Sequence, residues 1–337
     1  MATHGLPHSD AGKAFLGKYR TAVTEIHRDV VELDSVVEGL MIGVLAKGHV
    51  ILEGEPGVGK TLVARVFNRT IDAKCTFKQF TPDMLPADLL YSMGGFAEGA
   101  EGGRTLRNMT LEKGPLFTKL LVADEINRAM PRSTGVLLGP MEEQCVELEG
   151  REHKLGPLYF VTATQNPVES AESTSALPEA LRERFMLKIL VPYPSIALMR
   201  KIAVHDTRQK EIQPCYTEEV LADMQNRIFE QYVLSLRDTD PVVDYLVRLI
   251  LHIHDHPAVK WGPGIRAAQD LTQASAAHAF LHERERITFT DVKAMAERAL
   301  AFKFELDWRQ ARKLGIKDNY DIIRRVLNSV SITGRKV

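Results

Sequence analysis

One eight-residue stretch, Gly54-Glu55-Pro56-Gly57-Val58-Gly59-Lys60-Thr61, constrains this chain more than any other. A short apolar run, His49-Val50-Ile51-Leu52-Glu53, leads into it, and a helical pattern from Leu62 to Thr70 leads out. The spacing is G-x-x-x-x-G-K-[ST] without a mismatch. Glycines let backbone N–H groups turn inward around phosphate oxygens, and the helix that follows adds its positive dipole end. Lys60 supplies a point charge, and Thr61 a hydroxyl suited to Mg²⁺. A strand, this loop and a helix in that order predict an open α/β sheet that binds a nucleoside triphosphate, with Gly54 to Leu62 as the binding segment.

Two more apolar runs deliver polar residues at their carboxyl ends, where open α/β sheets bind ligands. Leu120-Leu121-Val122-Ala123 ends in Asp124-Glu125, and Tyr159 to Thr164 ends at Gln165-Asn166-Pro167. Asp124 is placed to hold a hydrated Mg²⁺ through water, and Glu125 to orient or deprotonate an attacking water. Asn166 can bond a water and a phosphate oxygen at once, although Asn-Pro is also a plain turn signal. A fourth strand is predicted from Met186 to Val191. An arginine from outside the loop can stabilise charge on a transferring phosphoryl group. Arg182, Arg184 and Arg266 are candidates, and on spacing alone surface ion pairing explains each of them as well.

The 337 residues, 45% hydrophobic and 26% charged, suit a soluble protein of two domains. A formal net charge of −1 gives no basic field for nucleic acid. The basic tail Arg324-Arg325…Arg335-Lys336 reads as a solvated terminus. No apolar run reaches the length of a membrane span, since Lys47-Gly48-His49 interrupts the best one, and no signal peptide is evident. Cys75, Cys145 and Cys215 are sparse and unpaired in pattern. Together these predict a cytoplasmic protein. His252, His254 and His256 read as a helix end rather than a metal site, because no further ligand completes a set.

Apolar positions recur at helical spacing from about Ala14 to Ala46. Gly94 to Lys113 and Val146 to Pro157 read as insertions, the second as a hairpin turning at Glu149-Gly150. Beyond Tyr193-Pro194 the pattern is helical: Ile196–Asp206, Thr217–Arg227, Pro241–His254, Arg266–His282 and Thr290–Phe302, with Thr290-Asp291 as a start signal. A boundary near 195 is expected, giving units 1–195 and 196–337.

Taken together, the glycine loop, Gly114-Pro115-Leu116-Phe117, Asp124-Glu125-Ile126-Asn127-Arg128-Ala129, Glu142-Glu143, Ala163-Thr164-Gln165-Asn166-Pro167, Leu177-Pro178-Glu179-Ala180 and Arg184-Phe185 resemble the MoxR branch of the AAA+ ATPases. The resemblance runs from about Gly48 to Ala268. It implies an αβα P-loop core with a parallel sheet, followed by an all-α lid, and ATP hydrolysis with Mg²⁺. It implies sensor 1 at Asn166, an arginine finger at Arg184 with Arg182 as the fallback, and sensor 2 at Arg266. The insertions match the helix-2 insert (about 94–113) and the pre-sensor-1 hairpin (about 146–157). Glu183 stands where the family usually has Asp, and Gly264-Ile265 where Ser-Pro is commoner. The resemblance further implies a homo-oligomeric ring, most often a hexamer, that remodels or activates partner proteins, commonly ones with a von Willebrand factor A domain and its metal site. A DNA-dependent motor of the same clade and a non-catalytic, nucleotide-switched scaffold are the alternatives.

Overall fold

The computed structural model describes residues 5–93, 111–167, 176–205 and 211–331. Five strands form a parallel sheet: β1 (His49–Glu53), β2 (Cys75–Gln79), β3 (Leu120–Asp124), β4 (Phe160–Gln165) and β5 (Phe185–Leu190), in the order β5-β1-β4-β3-β2. Their residues alternate between two apolar clusters. Val50, Leu52, Leu120, Val122 and Phe160 pack on one face of the sheet. Ile51, Leu121, Ala123, Val161 and Ala163 pack on the other. A strand apolar on both faces needs a layer on each side, so the αβα sandwich follows from these short continuous runs.

Strand β2 was not foreseen. Its residues Cys-Thr-Phe-Lys-Gln are alternately exposed and half-buried, because it lies at the sheet's edge with a partner on one side only. An edge strand needs no apolar run, so hydrophobicity did not mark it.

The helical tract near the amino terminus is two helices, α1 (Asp10–Ile26) and α2 (Asp34–Leu45), with Val30 and Leu33 buried in the turn between them. Helix α3 (Lys60–Arg69) follows the glycine loop. Two short helices, α4 (Leu138–Glu143) and α5 (Glu179–Arg182), precede a hairpin and β5 respectively. That hairpin pairs Cys145–Leu148 with Arg151–Lys154 and turns at Glu149 (φ 54°) and Gly150 (φ 70°). Positive φ at both central residues is what a tight hairpin turn demands. Most of the other insertion, 94–110, lies outside the described residues. Its flanks, Tyr91–Met93 and Leu111–Lys113, pair antiparallel.

Beyond β5 the chain is mainly helical: α6 (Ile196–Ala203), α7 (Glu218–Ile228), α8 (Pro241–His254), α9 (Ile265–Leu281), α10 (Phe289–Leu300), α11 (Trp308–Lys313) and α12 (Asn319–Ser329), the later ones forming a lid. The last two had no expectation behind them. A short antiparallel pair, Val259–Trp261 with Glu305–Leu306, sits among these helices. Helix α9 buries Ala274, Ala276, Ala277 and Ala279, and α10 buries Ala296 and Ala299, so small side chains let neighbouring helices approach closely. The N-cap of helix α10 lies two residues before the predicted signal. Thr288 is the N-cap, and Asp291 returns the bond to the Thr288 N–H at 2.8 Å. Phe15 of α1 packs on Tyr216 and Phe280, with ring centroids 4.9 and 5.7 Å apart, tying the amino terminus to the lid. Among the described residues, no helix is long and apolar enough to cross a membrane, and the three cysteines are free.

Candidate nucleotide site

Register decides what meets at the carboxyl edge of the sheet. Glu53 lies beside Gln165, and Gln79 beside Asp124, so the polar strand ends form one row next to the glycine loop. In the loop, Gly57 (φ 83°) and Gly59 (φ 91°) adopt the left-handed conformation, which a side chain would strain. Gly59 is also the N-cap of α3, so the first free N–H groups of that helix face the loop.

Lys60 is buried, with its Nζ 2.7 and 2.8 Å from the carbonyls of Gly54 and Glu55 and 2.8 Å from Oδ1 of Asn166. Burial lowers its pKa, while the charges of Asp124, Glu125 and Glu53 oppose that shift. Asp124 is buried, and its Oδ1 accepts from the Thr61 hydroxyl at 2.5 Å and the Thr164 hydroxyl at 2.7 Å. The geometry therefore gathers Lys60, Thr61, Asp124 and Asn166 around one point.

Glu125 leaves the strand with φ 54°, a conformation that costs a non-glycine residue about 1 kcal/mol or more. Its N–H donates to the Thr164 hydroxyl at 3.0 Å. Arg128 Nη1 donates to Glu125 Oε2 at 2.6 Å, and Gln79 Nε2 donates to the same oxygen at 3.4 Å. Burial works to raise the Glu125 carboxyl, but the bonds from Arg128 and Gln79, with the charges of Arg128 and Lys60, outweigh it and hold the group below the usual carboxylate value. Gln79 is unmarked in the sequence because its edge strand has no apolar run, and Thr164 because a threonine inside an apolar run has no motif of its own. Arg128 stands three residues after Glu125, a spacing that could have marked it.

Beside the loop opens a cleft of about 500 Å³ with largely apolar walls. Val30 and Val31 come from the turn after α1, Leu62 from α3, and Tyr193, Met199 and Ile202 from the entry to the lid. Its size falls within the range of small-molecule sites.

Arg184 and Arg266 do not join this group. Both guanidinium groups pair with the carboxylate of Glu142, at the end of α4. Hydrogen bonds from Arg266, helped by the charges of Arg266 and Arg184, lower the pKa of that exposed carboxyl. Phe185 pairs in register with His49 and Leu190 with Glu53, so Arg184 enters β5 at the amino edge of the sheet. Five strand steps span about 16 Å, further than an arginine side chain reaches. The neighbouring Met141 carbonyl accepts from His49 at the start of β1, which fixes α4 at the same edge. Arg182 lines a separate cleft of about 330 Å³ between the sheet and the lid, together with Lys188, Phe302, Trp308 and Tyr320. His252, His254 and His256 join no metal-spaced cluster among the described residues.

A glycine loop at the end of the first strand of a β5-β1-β4-β3-β2 sheet, with a helical lid beyond, defines a P-loop nucleotide-binding protein. The profile of the ATPase family associated with various cellular activities (AAA) matches residues 49–187, and that of the AAA lid domain matches 252–325. Chaperone MoxR1 of Mycobacterium tuberculosis is 31% identical over 92% of this chain and 81% of its own length. An uncharacterized Bacillus subtilis protein, YeaC, is 33% identical over 94% of both chains, and protein MoxR of Methylorubrum extorquens is 30% identical over 95% and 97%. A crystal structure of a provisionally named ATPase from Cytophaga hutchinsonii superposes with a TM-score of 0.81 at 28% identity, covering 96% of this chain and 97% of that one. The chain belongs to the MoxR family of AAA+ ATPases.

Proposed function

We propose that this protein hydrolyses Mg-ATP at the interfaces between protomers of a ring, a hexamer on the family pattern, and uses the cycle to remodel or activate client proteins. The separation of Arg184 and Arg266 from the loop carries this reading. Two arginines held on Glu142 at the amino edge cannot reach their own Lys60, but on a ring they can serve the loop of the next protomer.

Within one protomer the roles divide by position. The amides of Gly54 to Thr61 and the Lys60 ammonium bind the phosphates, exchanging the Gly54 and Glu55 carbonyls for phosphate oxygens. The apolar cleft walled by Val30, Leu62 and Tyr193 receives the base. Thr61 and Asp124, whose oxygens lie 2.5 Å apart, are hard oxygen donors that fit Mg²⁺, Asp124 through water. Held by Thr61 and Asp124, Mg²⁺ would supply positive charge to offset that of the phosphates. Glu125, an ionised carboxylate, accepts a proton from the attacking water or orients it, and Asn166 holds that water from the other side. Arg184, with Arg266 beside it, stabilises charge on the neighbour's transferring phosphoryl group.

The client reading rests on family membership, and on that ground we take proteins with a von Willebrand factor A domain as the first clients to test. Lys60→Ala, titrated with a fluorescent adenine nucleotide in magnesium, should bind at least about tenfold more weakly, since a charged hydrogen bond to phosphate is lost. Undiminished affinity would refute the phosphate clasp. Sedimentation with ATP and magnesium should show a closed oligomer. Undiminished phosphate release from a monomer would refute the shared site.

A further inference from the structure

Away from the nucleotide, helices α2 and α9 bring together Glu38, His278 and His282. Each offers one ligand atom, and these atoms all lie within 4.8 Å of one another. We propose that the three residues bind a divalent transition-metal ion of the zinc class, and that the ion fastens the lid to the core.

The first support is spacing. His278 and His282 are four residues apart, at the last turn and the C-cap of α9, so their rings share a face, with centroids 4.3 Å apart. The second is the partner of His278. Its Nδ1 lies 2.7 Å from Oδ1 of Asp291, and both side chains are almost wholly buried (7% and 0% exposed). A carboxylate on one ring nitrogen fixes the tautomer and directs the lone pair of Nε2 outward, the arrangement that orients histidine ligands in metal sites. Asp291 is held in that task. The Thr288 N–H and hydroxyl occupy its other oxygen at 2.8 and 2.5 Å, and Arg284 Nη1 reaches Oδ1 at 2.5 Å.

Glu38 supplies the third ligand from a helix far away in sequence. Its Oε1 already meets His282 Nε2 at 2.9 Å, and its Oε2 faces Arg298 Nη1 at 3.6 Å. Metal–ligand bonds of about 2.0–2.2 Å require the three atoms to close to roughly 3.3 Å. Glu38 and His282 are both partly exposed and free to make that move. Two imidazoles and one carboxylate favour zinc, cobalt or nickel over magnesium, which prefers oxygen alone. Helix α9 also carries Arg266 at its other end, so an ion here would limit how far that arginine travels with the lid.

The test uses the full chain, stripped with a chelator and free of nucleotide, titrated with Co²⁺ or Zn²⁺ in excess Mg²⁺. One ion should bind per chain, with the visible absorption of cobalt held by nitrogen and oxygen, and zinc should raise the melting temperature. His282→Ala and Glu38→Gln should each weaken binding by at least about tenfold. His254→Ala, an exposed histidine outside the cluster, should not change it. Absence of stoichiometric uptake, or uptake unchanged in both His282→Ala and Glu38→Gln, overturns the proposal in favour of a plain histidine–carboxylate hydrogen-bond pair.

Discussion

At the carboxyl edge of the sheet, Lys60 bonds Asn166, while Thr61 bonds Asp124 and Thr164 joins Asp124 to Glu125. At the amino edge, a strand length away, Arg184 and Arg266 share the single carboxylate of Glu142. The first edge gathers groups that can serve a nucleotide held by the same chain. The second presents two cations that cannot reach that nucleotide, and neutralises them with one anion. On our reading the edges are the two halves of a site, separated so that neither works without a neighbour.

Arg184→Ala tests that separation with the largest expected effect. Hydrolysis should fall about a thousandfold, while affinity for a labelled ATP analogue stays within about threefold. Mixed with Glu125→Gln chains it should regain measurable turnover, because some junctions then hold an intact Glu125 opposite an intact Arg184. A mixture as inactive as its parts, or a loss of nucleotide affinity in Arg184→Ala alone, would remove the trans reading.

Glu125→Gln probes the other half. It should bind ATP as the parent does and hydrolyse it at least about a hundredfold more slowly. Since Arg128 and Gln79 hold the Glu125 carboxyl below its usual range, it remains ionised down to mildly acidic pH. The parental rate should therefore not fall between pH 8 and pH 6 through this group. A rate that halves across that interval in the parent, but not in a variant lacking Arg128, would show that the carboxylate is set differently.

These two edges were not equally legible in the sequence. The carboxyl edge is written in short local words: a glycine loop, an Asp-Glu pair and an Asn-Pro step, each following an apolar run. A parallel sheet places strand ends together by its topology, so finding the strands nearly suffices to bring Lys60, Asp124 and Asn166 into one place. The amino edge has no such grammar. Glu142 meets Arg266 across 124 residues, through the packing of α9 against the core, and no periodicity announces that. Gln79 stayed hidden because an edge strand is half-exposed, and the apolar cleft because its walls come from three separate segments of the chain. The residues alone favoured a surface ion pair for Arg184, and the structure shows that pair, with Glu142, at the amino edge, too far from its own Lys60 for the side chain to reach.

Acid should act at the amino edge of the sheet, and by the smallest of these effects. His49 starts β1 beneath α4, wholly buried. The Val161 N–H donates to its Nδ1 at 3.1 Å, so the other nitrogen carries the proton and donates to the Met141 carbonyl at 3.0 Å. Burial lowers its pKa to about 4, against a weaker opposing effect from the Met141 carbonyl. In the unfolded chain the ring takes a proton as pH falls through about 6.5, while the folded chain refuses it until about 4. The unfolded state therefore binds more protons inside that window. The site's contribution is complete above the window and is lost across it, by about 2 kcal/mol at pH 5. Urea unfolding at pH 7 and pH 5 should show this loss in the parent and a loss smaller by about that amount in His49→Gln. The added proton goes to Nδ1, so it breaks the bond from Val161 in β4, while the bond to Met141 persists. A loss at pH 5 as large in His49→Gln as in the parent would show that this ring does not carry the pH dependence.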